Sequence, residues 1–145
     1  MALTSSRYRV DLVSWQDAAT QLSAIRRLIF IEEQGVPEEL EWDGLDATAV
    51  HAKATSPTGE VIGTARLLPD GQIGRMAVLR QWRGAGVGTA MLQRLIAHAA
   101  ARESLFLNAQ TSAESFYRRN GFESEGDIFM EAGIPHIRMR YCPSR

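Results

Sequence analysis

The 145-residue sequence predicts an α/β (α+β) sandwich built on one central mixed sheet. Three observations lead there. YRVDLV (8–13) alternates as a half-buried strand does, and the run 105–109 is short and apolar as a buried one is. Two of the gaps between such runs, SPTGE and PDGQ, are hairpin-type turns that make neighbouring strands antiparallel. Finally, QWRGAGVG (81–88) sets three glycines at alternate positions where an apolar run hands over to TAMLQRLIAHAA, a strand-to-helix junction.

In chain order, Tyr8, Val10 and Leu12 mark the first strand. Ser14 stands three residues before Asp17 as a helix start, and Ala18, Leu22, Ile25 and Ile29 continue at helical spacing to about Glu33. Gly35 and Pro37 end that helix, and VPEELEWDGLDA is acidic and turn-rich. Strands are expected at 50–55, 61–68 and 73–79. Beyond the glycines, Val87, Met91, Leu95 and Ala99 form one helix face and Arg94, His98 and Arg102 another. Residues 105–109 read as a buried strand. Thr111 and Glu114 form a T-x-x-E capping box for a short helix that Asn120-Gly121 closes. Two last strands, near 128–131 and 136–141, flank the AGIP turn.

With 45% hydrophobic and 23% charged residues, and no repeat, low-complexity stretch or linker, residues 1–145 read as one soluble domain. A net charge of -1 without any basic run argues against nucleic-acid or anionic-membrane partners. All the basic residues are arginine except Lys53. The lone cysteine, Cys142, excludes an internal disulfide and offers no cysteine cluster, so no metal is expected. MALTSSRYRV has no signal-peptide core and no apolar run reaches membrane-span length, which makes the cytoplasm the expected location.

The glycines carry the first functional reading. Successive amides of residues 83–89 would point outward at the positive end of a helix dipole, which is an anion site. A P-loop lacks its Lys and Ser/Thr here. The dinucleotide fingerprint would need glycine where Thr89 stands and a parallel doubly wound sheet, although Glu103 lies at the distance of a ribose-binding acid. A glycine-rich helix entry serving close packing alone is a further alternative.

Two segments settle the choice by likeness. Q-x-x-G-x-G, here Gln81, Gly84 and Gly86, resembles the acyl-CoA pyrophosphate loop of the GNAT superfamily of N-acetyltransferases, and NAQTSAESFYRRNGF (108–122) resembles that family's second cofactor segment with its F-Y-x-x-x-G-F ending. FIEEQGVP (30–37) and GIPHIRM (133–139) are similar to the ElaA-type subgroup, so the likeness extends over nearly the whole chain. It implies the GNAT fold, a single mixed, mostly antiparallel sheet with a splayed strand pair and helices on both faces, and acetyl-CoA as cosubstrate. It further implies that Arg83, Gly84, Ala85, Gly86, Val87, Gly88 and Thr89 hold the pyrophosphate. The main chain of Met76, Ala77 and Val78 would line the slot for the pantetheine arm, with the Val78 amide as an oxyanion donor. Asn108, Ser115 and Phe116 would touch the arm's other side, unless Asn108 only ends its strand. Tyr117 takes the role of general acid: a phenol near pKa 10 keeps its proton at neutral pH and can give it to a thiolate whose thiol lies at roughly 8.5. The alternative for Tyr117 is a core tyrosine.

The acceptor side is more open. Seven of the seventeen acids fall between Glu32 and Asp46, a cluster that would favour a cationic amine. Glu33 is the first candidate for base or amine anchor, with Gln34 beside it and His51 and His136 behind, since imidazole titrates near neutrality. Glu33 as a helix-end surface charge and the histidines as structural groups are the competing readings. The acceptor is a small-molecule or protein amine, and a homodimer is compatible with the family. Two other readings stand beside the enzyme. One is a non-catalytic acyl-CoA sensor. The other is a relative of the acyl-homoserine-lactone synthases, which GTARLLP (63–69) resembles but whose chains are longer.

Overall fold

The computed structural model describes residues 8–142; the leader reading drawn on residues 1–7 lies outside them. Strand β1 (Arg9–Val13) leads to Ser14, whose hydroxyl accepts the Asp17 amide at 3.2 Å and opens helix α1 (Trp15–Arg26). The expected continuation to Glu33 takes a different form. The backbone widens into a π-helical turn over Arg27–Glu33, a rare geometry that concentrates at functional sites. A four-residue helix, α2 (Glu38–Glu41), lies inside the segment expected to be all turn.

Next come β2 (Val50–Thr55), β3 (Val61–Leu67) and β4 (Gln72–Val78), close to the sequence-based bounds, then α3 (Val87–His98) and β5 (Phe106–Gln110). The Thr111 capping box does not form. Residues Thr111–Ala113 make a 3-10 turn instead, and the Glu114 carboxylate is taken by Ser124 and Arg118 while α4 (Glu114–Arg119) begins without a side-chain cap. Strand β6 (Phe122–Glu131) starts six residues before its expected place, and β7 (Ile134–Tyr141) pairs along it. The polar stretch FESEGD joins the sheet because Glu125 faces Arg138 and Arg140 across the ladder, at 3.2 and 3.3 Å.

The seven strands among the described residues form one sheet in the order β1-β2-β3-β4-β5-β7-β6. Alternation along β2 and β3 assigns the faces. His51, Lys53 and Arg66 face α1, as the His51 ring against Trp15, the Lys53–Gln21 hydrogen bond and the Arg66–Asp46 pair beyond α1 show. Their neighbours Ala52, Ala54, Gly63 and Ala65 face α3, whose Met91 and Val87 approach so closely that a Cβ at Gly63 would sit 3.0 Å from the Met91 methyl. Small residues on that face let α3 settle on the sheet, and Ile62, Ile73, Met91, Leu92, Leu95, Leu107, Phe122 and Met139 close the core.

All strand pairs are antiparallel except β4 and β5, which are parallel and share only two register positions, Gln72 with Phe106 and Ile73 with Leu107. A bulge in β4 starts the divergence: Arg75 and Met76 together oppose Ala65, and Arg75 sits at φ 49°. That left-handed backbone is uncommon for arginine. The Arg75 guanidinium holds it by bonding the carbonyls of Leu40 and Glu41 and pairing with the carboxylates of Glu41 and Asp43.

Candidate active site

The parting of β4 and β5 opens a cleft of about 890 Å³. Ladder geometry shows what β4 offers it. The Leu79 amide bonds the Ile62 carbonyl at 2.9 Å, so Ala77 with Thr64 is the next hydrogen-bonded pair and the N–H and C=O of Val78 point away from β3. The Val78 amide therefore faces the cleft, and its carbonyl accepts a 2.8 Å hydrogen bond from Arg83 Nε. Met76 and Val78 both line the cleft. Ala77, expected among the cofactor contacts, is turned the other way: its backbone serves the ladder to β3 and its side chain is buried in the core.

At the open end of β4 the chain turns through Gly84 (φ 84°) and Gly86 (φ 86°), both left-handed, which lets it reverse directly into α3. Helix α3 has no side-chain cap, and its first internal bond runs from Ala90 to the Gly86 carbonyl at 3.0 Å. The amides of Val87, Gly88 and Thr89 thus stand at the helix start without helical acceptors, at the positive end of the dipole. Arg83, Gly84, Gly86, Val87, Gly88 and Thr89 all line the cleft, whereas Ala85 packs against the core. Across from them, a Cβ at Gly88 would meet the Phe116 ring at 3.4 Å, so α3 and α4 nearly touch at the cleft wall. Asn108 and Phe116 line that wall. Ser115 is exposed and does not line the cleft. An extended acyl-CoA fits these donors: open amides for the diphosphate and an inward Val78 N–H for the thioester carbonyl.

Tyr117 also lines the cleft, between Phe116 and Phe122 with ring centroids at 5.0 and 6.1 Å. Desolvation by these neighbours pushes its phenol up to about 12, so the hydroxyl is a firm donor.

The acceptor candidates separate. Glu33 does not line the cleft; Arg83 grips its carboxylate in a bidentate pair at 2.8 and 3.0 Å, with Arg80 at 3.5 Å. The Arg83 hydrogen bonds hold its pKa below the usual carboxylate value, which suits a structural anion and not a base. His51 is buried on the α1 face, its Nε2–H donating to the Asp46 carbonyl at 3.0 Å, and burial lowers its pKa. It is a structural histidine away from the cleft. His136 does line the cleft: its Nδ1–H donates to the Ile134 carbonyl at 2.7 Å, which leaves Nε2 as the acceptor nitrogen. Gln34 lines it too and accepts a 3.0 Å hydrogen bond from Gln110, the cross-strand partner of His136.

The acidic loop is committed elsewhere. Fully buried Arg26 binds Glu41 at 2.8 Å and Asp46 at 2.7 Å, while its guanidinium lies over Trp15 and Trp42. Arg66 binds Asp43 and Asp46, and Arg75 binds Glu41 and Asp43. Three arginines thus neutralise three carboxylates. Desolvation opposes the charge on Asp43, yet Arg66 and the Leu45 amide still bring it down to about 2. With Glu38 paired to Arg27 and Glu33 to Arg83, five of the seven acids expected to attract a cation are bound by arginine. This network, the Gln110 contact and the open side chains of Leu40 and Leu45 were not anticipated from sequence. Arginine-for-lysine usage was the only hint, because bidentate buried pairing is what arginine does best.

Comparison with known proteins agrees with this geometry. The family model for the acetyltransferase (GNAT) domain matches residues 29–142. An uncharacterized N-acetyltransferase of Bacillus subtilis, YjcF, is 36% identical over 121 residues, covering 79% of this chain and 86% of that protein. The crystal structure of an acyl-CoA N-acyltransferase from Pseudomonas aeruginosa superposes with a TM-score of 0.81 at 28% identity, over 93% of this chain and 99% of that one. Escherichia coli ElaA shares the fold, with a TM-score of 0.80 at 24% identity over 92% and 99% of the two chains. A glycine turn feeding an uncapped helix, beside two parallel strands that part, is thus found in a chain that belongs to the GNAT acetyltransferase family.

Proposed function

We propose that residues 1–145 form one cytoplasmic N-acetyltransferase unit that moves an acetyl group from acetyl-CoA to a primary amine by direct attack in a ternary complex. The observation that carries the reading is the Val78 amide, turned into the parted strands in the cleft that the glycine turn and Tyr117 also line. When bound, the thioester supplies the acetyl carbon and a thiolate leaving group. Amides 87–89 hold the diphosphate, and the fixed Val78 N–H stabilises charge on the carbonyl oxygen without reorganising. His136 Nε2 takes the proton that the amine loses as its nitrogen bonds the carbonyl carbon. The Tyr117 hydroxyl donates to the sulfur as the C–S bond breaks. Complete proton transfer from a phenol at about 12 to a thiolate of roughly 8.5 is uphill by about 5 kcal/mol, so its main service is a charge-assisted hydrogen bond, with the final proton drawn from solvent.

The test is a panel of primary amines assayed with acetyl-CoA for thiol release and acetylated product. Amine-dependent release supports the reading. Tight CoA binding with no release for any amine would favour a sensor.

A further inference from the structure

We infer that the acceptor is an amine with an apolar body, seated on Val36, Leu40 and Leu45, and not a polycation; this rests on the acetyl-transfer reading. Two observations point the same way. The cleft lining includes Phe30, Val36, Leu40, Leu45, Leu68 and Ile134, and the Leu40 carbonyl bonds Arg75 where the strands part. Leu40 and Leu45 are 52% and 45% exposed, large apolar side chains left facing the cavity. The glycine turn follows Val78 at the end of β4, whereas the Leu40 carbonyl is held by Arg75 in the middle of that strand, so Leu40 stands apart from the diphosphate-binding amides.

The second observation is electrostatic. Glu41 and Asp43 line the cleft, but each is already bound by arginine, and Asp46 behind them is bound by two. A polyamine would have to displace a buried guanidinium to reach them, which leaves an uncompensated charge. Glu131, at the end of β6, is the cleft-lining carboxylate outside that network. One ammonium can therefore be met at the rim while the rest of the molecule meets hydrocarbon. Mostly apolar walls with few polar groups are what sites for small apolar ligands present.

Unbranched alkylamines from propyl to hexyl, compared with putrescine and spermidine, provide the test. Each methylene that reaches the wall adds ~0.8 kcal/mol, about fourfold in kcat/KM, so hexylamine should exceed propylamine by about 60-fold and both polyamines should trail. Leu40→Asp and Leu45→Asp should flatten the series without changing acetyl-CoA affinity. Calorimetry of hexylamine on the CoA complex gives a second readout independent of turnover. It should show binding that weakens in both variants. Polyamines outrunning hexylamine, an unchanged series in the variants, or a wall that favours longer acyl thioesters over longer amines would each overturn the inference while leaving acetyl transfer intact. Hexylamine binding without turnover would support the inference and sink the enzyme reading instead.

Discussion

Replacing Arg26 by Met tests how the cleft's acceptor wall is held. Arg26 is completely buried and joins α1 to Glu41 and Asp46, the chain neighbours of Leu40 and Leu45 respectively. Methionine keeps much of the stem's volume but removes the charge and the hydrogen bonds to the Glu41 and Asp46 carboxylates and the Glu41 carbonyl. Breaking a buried ion pair from one side costs about 3–5 kcal/mol. Asp46 keeps Arg66 at 3.1 Å and Glu41 keeps Arg75 at 3.2 Å, so the lower end applies, about 3 kcal/mol. Unfolding entropy of about 2.1 cal/mol/K per residue makes each kcal/mol worth ~3 °C in a chain of this length, a fall in Tm of about 10 °C. Differential scanning calorimetry reads that fall. Kinetics on the folded variant should show a raised KM for the amine and an unchanged Kd for acetyl-CoA, because the glycine turn lies at the far end of β4. A Tm within ~2 °C of the parent would refute the claim that this network fastens the wall.

Three further outcomes are expected. Gly86→Val forces a branched residue to φ 86°, at a cost of about 1–3 kcal/mol, although its Cβ meets only the Tyr8 hydroxyl at 3.5 Å; the fold should survive and CoA should bind at least tenfold more weakly by calorimetry, whereas unchanged affinity removes the turn from the site. Tyr117→Phe should lower kcat by roughly 10- to 150-fold, the worth of a hydrogen bond to a charged group, and by less with a thioester of more acidic thiol; equal turnover of both thioesters would discard the hydroxyl's role. His51 is held neutral by burial, so the unfolded chain takes up a proton first as pH falls below about 6.5, and folding stability declines from there until the depressed native pKa is reached; melting curves of His51→Gln between about pH 7 and pH 5 should lose that slope, and parallel curves would contradict it.

Much of the fold was legible because local signals and tertiary structure agree. The hairpin turns, the Ser14 cap and the glycine turn each have one good backbone solution, and β2, β3, β4 and α3 lie where pattern and turn chemistry place them. Agreement ended where long-range partners decide. The first half of β6 is polar and looks like loop until Arg138 and Arg140 are seen across from Glu125. Thr111 and Glu114 match a capping box, yet Ser124 and Arg118 take the carboxylate. The same limit governs the site. The cluster of acids between Glu32 and Asp46 is visible in the sequence, but Arg26, Arg66, Arg75 and Arg83, which bind five of those regions' carboxylates together with Arg27, come from elements up to 50 residues away. Charge counted along the chain suggested a cation site, and in space five of its seven carboxylates are taken up by arginines. His51 and His136 are likewise equivalent as letters, and sheet register alone turns one into α1 and the other into the cleft.

Direct transfer within the parted strands leaves the protein itself unacylated, and the mass of the chain during a single turnover shows whether it does. The protein is mixed with acetyl-CoA alone, quenched and weighed, then mixed again with amine. The chain should be unmodified, with no free thiol, before the amine arrives. After it arrives, free CoA and N-acetylated amine should appear in equal amounts. A chain that already carries an acetyl group before the amine is added, with one equivalent of thiol released, would contradict it.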